Sequence, residues 1–75
     1  MDMRRQTGPE AWIAEVFSAK AVANGGVIRR SRAWVDREVG RERFIAEVQG
    51  RGFHLLETGH QLIVVCHKGA VHLHF

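Results

Sequence analysis

Hydropathy follows a helical period up to about Gly52, and from Phe53 onward it alternates with a period of two. FHLLE, QLIVVCH and AVHLHF read as strands, because successive side chains on a strand point to opposite faces. Thr58-Gly59 and Lys68-Gly69 separate them with residues that suit two-residue hairpin loops. Those loops define a register. Cys66 faces Val71, Val64 faces Leu73 and Leu62 faces Phe75 across the second loop. Across the first, Leu55 lies beside Leu62 and Phe53 beside Val64. Every side chain in that set is apolar, and a slip of one residue would turn all of them outward. The expected sheet is a three-stranded antiparallel β-meander with one core face.

Upstream, Thr7-Gly8-Pro9-Glu10 reads as a helix start. Thr7 can cap, Glu10 can reach back, and Pro9 has no N–H to leave unpaired in the first turn. Residues 1–6 form an expected flexible tail, and residues 7–75 one α+β domain. Trp12, Ile13, Val16 and Phe17 make an apolar stripe that Asn24-Gly25-Gly26 ends. Val27-Ile28 is a short β-prone piece. Ser31 can cap a second helix carrying Trp34, Val35 and Val39. Gly40 interrupts the pattern, and Phe44, Ile45 and Val48 restart it out of phase, so two helices are expected. Gly50 and Gly52 end the third. The predicted architecture is α+β, three helices packed on one face of the sheet. Trp12, Ile13, Val16, Phe17, Trp34, Val35, Val39, Phe44, Ile45 and Val48 should meet Phe53, Leu55, Leu62, Val64, Cys66, Val71, Leu73 and Phe75.

Seventy-five residues allow a single domain whose core supplies roughly 3–5 kcal/mol. No disulfide can add to it, because Cys66 is the one cysteine. An unpaired cysteine within the apolar run LIVVC fits a reducing compartment. No apolar stretch approaches the ~20 residues of a membrane span, and MDMRRQTGPE lacks the apolar core of a secretory signal. The expectation is a soluble, cytoplasmic protein.

Net charge is +3, and nine of the eleven basic residues are arginine. Seven of those lie between Arg29 and Arg51. Arginine offers a planar fork for bidentate phosphate contact, which makes Arg29, Arg30, Arg32, Arg41, Arg43 and Arg51 the candidate nucleic-acid-binding residues. Asp36, Glu38, Glu42 and Glu47 lie in the same segment, so the plainer reading is solvated helix faces laced with i,i+4 ion pairs.

All five histidines fall between His54 and His74. In the expected register His54, Leu56, Ile63, Val65, His67, His72 and His74 share the face away from the core. Ile63 and Val65 at the centre of that face point to a partner or a homodimer, with Leu56, Ile63, Val65, His72 and His74 as the candidate interface. A zinc site needs three or four ligands; His67, His72 and His74 are weak candidates with no carboxylate or thiolate beside them. A sheet surface that tolerates histidine is the favoured reading. No cofactor is implied.

Three resemblances bear on function. RERFIAEVQGRGFHLLETGHQLIVV resembles the front half of HicA-type toxins, which cleave RNA and follow a helix with Gly-Phe, a strand and Gly-Ser-His. Gly52-Phe53 and Gly59-His60 match that frame, so the resemblance makes His60 a weak catalytic candidate. The serine and the helix that should follow the sheet are absent. The order helix, short strand, helix, turn, helix, hairpin is similar to that of winged helix-turn-helix domains. WVDREVGRERFIAEVQGRGF then lies on the motif with Gly40 at the turn, and the third helix would present Arg41, Arg43 and Arg51 to nucleic acid. Asp36 and Arg41 stand where that motif favours apolar residues. Finally, WIAEVFSAKAVANGGVIRRS and GRGFHLLETGHQLIVVC resemble short bacterial proteins sometimes labelled N-(5'-phosphoribosyl)anthranilate isomerase. Such an isomerase is a (β/α)₈ barrel of at least ~200 residues, so that label would be nominal for a chain of this length. No catalytic constellation stands out. The expected function is a non-enzymatic binding or regulatory module that contacts nucleic acid through the arginine-rich helices, or alternatively a protein through the back of the sheet.

Overall fold

The computed structural model describes residues 8–18 and 20–75; the expected tail over 1–6 and the capping role of Thr7 lie outside them. Gly8 occupies the N-cap of α1 (Pro9–Val16), and its carbonyl accepts from the N–H groups of Ala11 and Trp12. The helix does not run on to Asn24. Ser18 donates both its backbone N–H and its hydroxyl to the Glu15 carbonyl, which tightens the turn and ends α1 at Val16. A single turn, α2 (Lys20–Ala23), follows.

β1 (Val27–Ser31) is longer than the expected Val27-Ile28 piece. Ser31 closes the strand and opens α3 (Arg32–Glu38) at once, its Oγ accepting from the Trp34 N–H at 2.9 Å. Gly40, at φ +96°, then separates α3 from α4 (Arg41–Gly50), as the change of phase predicts. β2 (His54–Glu57) and β3 (Gln61–Val65) complete the elements.

The sheet has three antiparallel strands, but it is not a meander of consecutive ones. Its order is β1-β3-β2, with Val27 opposite Val65 and Ser31 opposite Gln61. A strand has two hydrogen-bonding edges, and those of β3 are taken by β1 and β2. The Cys66 N–H carries the β1 side one step further, to the Gly26 carbonyl. AVHLHF therefore has no edge of β3 to join. Residues 70–75 form no strand, and Val71, Leu73 and Phe75 are 44%, 82% and 109% exposed instead of buried.

The β2–β3 register differs by two residues from expectation. Leu55 pairs with Val64 and Glu57 with Leu62, leaving Gly59-His60 as the loop. Thr58 accounts for the shift: its hydroxyl accepts from the N–H groups of His60 and Gln61, which places Thr58 before the loop and not in it. A shift of two preserves the faces. Leu62, Val64 and Cys66 stay buried and join one core with Ile28 and with Ile13, Val16, Phe17, Val35, Val39, Phe44 and Val48. Trp12, Trp34, Phe53 and Leu55 are only partly buried at its margin, the two indoles meeting edge to face at 5.5 Å. Ile45 is a correction to the expected core. The buried stripe of α4 runs through Phe44 and Val48, four residues apart, and Ile45 lies about 80° round from its midline. Among the described residues no helix is long and apolar enough to cross a membrane.

Candidate functional site

Two surfaces come under consideration, the arginine-rich segment and the sheet face turned away from the core. Most of the arginines are committed to carboxylates. Arg41 closes a bidentate pair on Asp36, Nε and Nη2 donating at 2.8 and 2.9 Å across the Gly40 turn. Arg43 forks between two elements: Nε and Nη2 donate to Glu10 at the start of α1, and Nη1 to Glu47 one turn along α4. Glu47 also accepts from Arg51 Nε at 2.7 Å, and the Arg51 guanidinium lies 4.5 Å above the Phe17 ring. Arg32 donates from Nη1 to the Gly59 carbonyl, while its Nε sits 3.2 Å from Glu57 without hydrogen-bond geometry. Arg37 pairs with Glu38.

These pairs move the titrations of their members. Hydrogen bonds from Arg43 and Arg51 hold the Glu47 carboxyl below its ordinary value of 4.5, and the Arg43 hydrogen bond does the same for Glu10. The Arg41 hydrogen bond lowers Asp36, and Asp36 in turn raises Arg41. Carboxyls depressed in the folded state contribute stability above their unfolded pKa and lose it as pH falls through the folded one. Urea midpoints should therefore drop from neutral pH to below the ordinary carboxyl range, and Glu47→Gln should show a shallower acid loss than wild type. Equal acid losses in the two proteins would refute that role for Glu47.

Arg29 and Arg30 remain, both on β1. No carboxylate partner is seen for either among the described residues, and Arg30 Nη1 donates to the Arg29 carbonyl at 2.8 Å. Arg30 lies on the core-side register of β1 with Ile28, and Arg29 lies on the opposite face beside Ile63. Both line an open cleft of about 340 Å³ with Trp12, Val16, Ser31 and Trp34.

The back of the sheet takes its composition from the register. Val27, Val65 and His54 lie in one row across the three strands, and Arg29, Ile63 and Leu56 in the next. The outer residues Val27 and Leu56 are 46% and 40% exposed, and Ile63 and Val65 between them are half-buried. Leu56, Ile63 and Val65 thus fall together as the alternation implies. Val27 and Arg29 belong to the same surface, which the expected sheet lacks because it takes AVHLHF and not Val27-Ile28 as its third strand. His72 and His74 are not on this surface, since residues 70–75 are outside the sheet.

No protein-family model, curated protein or solved structure matches the chain.

The histidines are distributed differently from expectation. His67 accepts the Gly69 N–H on Nδ1 at 3.0 Å, and His54 Nε2 lies 2.6 Å from the Gly69 carbonyl, to which it must donate. Both bonds hold the bend over 67–69. Among the described residues no three side chains of His, Cys, Asp or Glu come together to hold a metal. His60 is exposed at the hairpin tip, where its carbonyl accepts the Arg32 N–H at 2.8 Å. His60 borders an open cleft with Arg32, Asp36 and Gly59, and its ring makes no hydrogen bond to a described residue. A general base needs a partner or substrate proton within hydrogen-bond reach, and none of the described side chains orients this imidazole.

Proposed function

We propose that the protein is a small interaction module that binds a protein partner through the back of its sheet. One observation carries the reading: Val27, Leu56, Ile63 and Val65 form an apolar patch across all three strands. The buried residues of α1, α3 and α4 share their core with the opposite sheet face. An apolar surface at the middle of a sheet, rimmed by Arg29, His54 and Gln61, has the anatomy of a docking patch. Val65→Lys should keep the circular dichroism of the wild type, because the position faces away from the core, and should abolish partner capture in cross-linking from lysate. Failure of the wild type to capture any protein, a second copy included, would end this reading.

A second reading rests on the order of the elements. Helix, strand, helix, turn, helix and hairpin, with a β1-β3-β2 sheet, support a winged-helix-like arrangement in which α4 is the reader and Gly59-His60 the wing. The exposed side chains of α4 are Glu42, Ile45, Ala46 and Gln49, a poor match to phosphate. Because Arg41, Arg43 and Arg51 are engaged with carboxylates, nucleic-acid contact ranks below protein contact. It stands or falls on binding at low ionic strength, where each phosphate contact contributes most.

A further inference from the structure

Residues 70–75 keep the alternation of a strand without a strand's neighbours. Of the six large apolar residues that are exposed among the described ones, three are Val71, Leu73 and Phe75 and two are Val27 and Leu56 on the back of the sheet. One chain thus carries an apolar arm and an apolar patch that do not cover each other. The root of the arm lies on the patch side. His54 sits in the back-face row with Val65, and its ring meets the Gly69 carbonyl where the arm begins. Gly69 suits this bend, because a Cβ there would lie 2.5 Å from the His67 ring.

Reach and area agree with an exchange. Six extended residues span about 20 Å, and three strands are roughly 10 Å across, so an arm can cross the whole patch. The arm's three apolar side chains expose on the order of 400 Å² and the patch roughly 250 Å², so two arms on two patches could bury up to about 1,300 Å², within the range of specific interfaces. An exchange of like elements about a two-fold axis also closes on itself and leaves no second patch open.

Building on the back-face reading, we propose that the partner is a second copy of this chain. The arm of each copy lies on the sheet of the other, with Val71, Leu73 and Phe75 over Val27, Leu56, Ile63 and Val65. His72 and His74 then alternate outward to water.

Sedimentation of the full chain at micromolar concentration should show a dimer. Leu73→Asp with Phe75→Asp should weaken dimerisation at least ~100-fold while circular dichroism and thermal midpoint hold, since both positions are solvent-exposed in the single chain. Leu73→Asp alone provides the same test with less perturbation. A dimer that survives the arm variants but dissociates with Val65→Lys overturns the arm and leaves the back-face reading standing. A wild-type monomer whose arm amides are protected from hydrogen exchange places the arm on its own sheet, which also overturns the exchange. A wild-type monomer with an unprotected arm does so as well, and there Val65-dependent capture of a different protein preserves the back-face reading.

Discussion

Replacing Phe44 by alanine should leave about half the population or less folded at room temperature. The ring has no solvent exposure, starts the buried stripe of α4 and lies 5.9 Å from the ring of Phe17, which follows α1. Removing a phenyl group from such a site costs roughly 3–5 kcal/mol through lost transfer energy and the cavity left behind. A single-core domain of this size has about 3–5 kcal/mol in total. The loss is therefore of the same size as the whole stability. Far-UV circular dichroism against urea measures it, with Ile45→Ala as the neighbouring control. Ile45 is 37% exposed, and its truncation should cost much less. A cooperative Phe44→Ala transition with a midpoint near the wild type would show that the core does not depend on this ring.

Gly40→Ala should be the most damaging of the small backbone changes, by about 1–3 kcal/mol. A Cβ at Gly40 would meet nothing within 4 Å, so no clash is involved. The cost lies in the backbone, whose φ of +96° and ψ of 129° fall where an L residue is strained. Relaxing that angle would disturb three bonds together. The Val39 and Gly40 N–H groups both donate to the Val35 carbonyl, and the Phe44 N–H donates to Gly40 at 3.0 Å. The Arg41–Asp36 fork also spans this turn. Gly59→Ala separates the causes, since Gly59 has equally open surroundings without a positive φ. Its thermal midpoint should stay near that of the wild type. Equal losses at the two positions would mean that flexibility, not the left-handed angle, is what Gly40 supplies.

The helices α3 and α4 were legible because their punctuation is local. Ser31 and Gly40 each act within four residues of themselves, through a side-chain cap and a positive φ. The faces of β2 and β3 were legible for a similar reason, although Thr58 moved the loop by one position and the pairing by two. The third strand was not. Both VIRRS and AVHLHF can pair with β3, and a local pattern cannot decide between them. The winner, β1, leads straight into α3 and brings Ile28 into the core opposite Val64, a gain that only the assembled fold reveals. The same distinction divides the ion pairs. Arg43–Glu47 and Glu47–Arg51 follow from i,i+4 spacing. Arg43–Glu10 joins residues 33 apart and brings in an acid from outside the arginine-rich segment, which spacing within that segment does not show.

Cys66 sits 4% exposed directly after β3, and burial pushes its thiol above the ordinary value. It is the only sulfhydryl in the chain. A thiol reagent consequently reacts with one atom, and only when the end of β3 separates from Gly26 or the whole core opens. The native chain thus contains its own clock for opening events. Covering the sheet would slow that clock, while an arm moving freely in solvent would leave it unchanged.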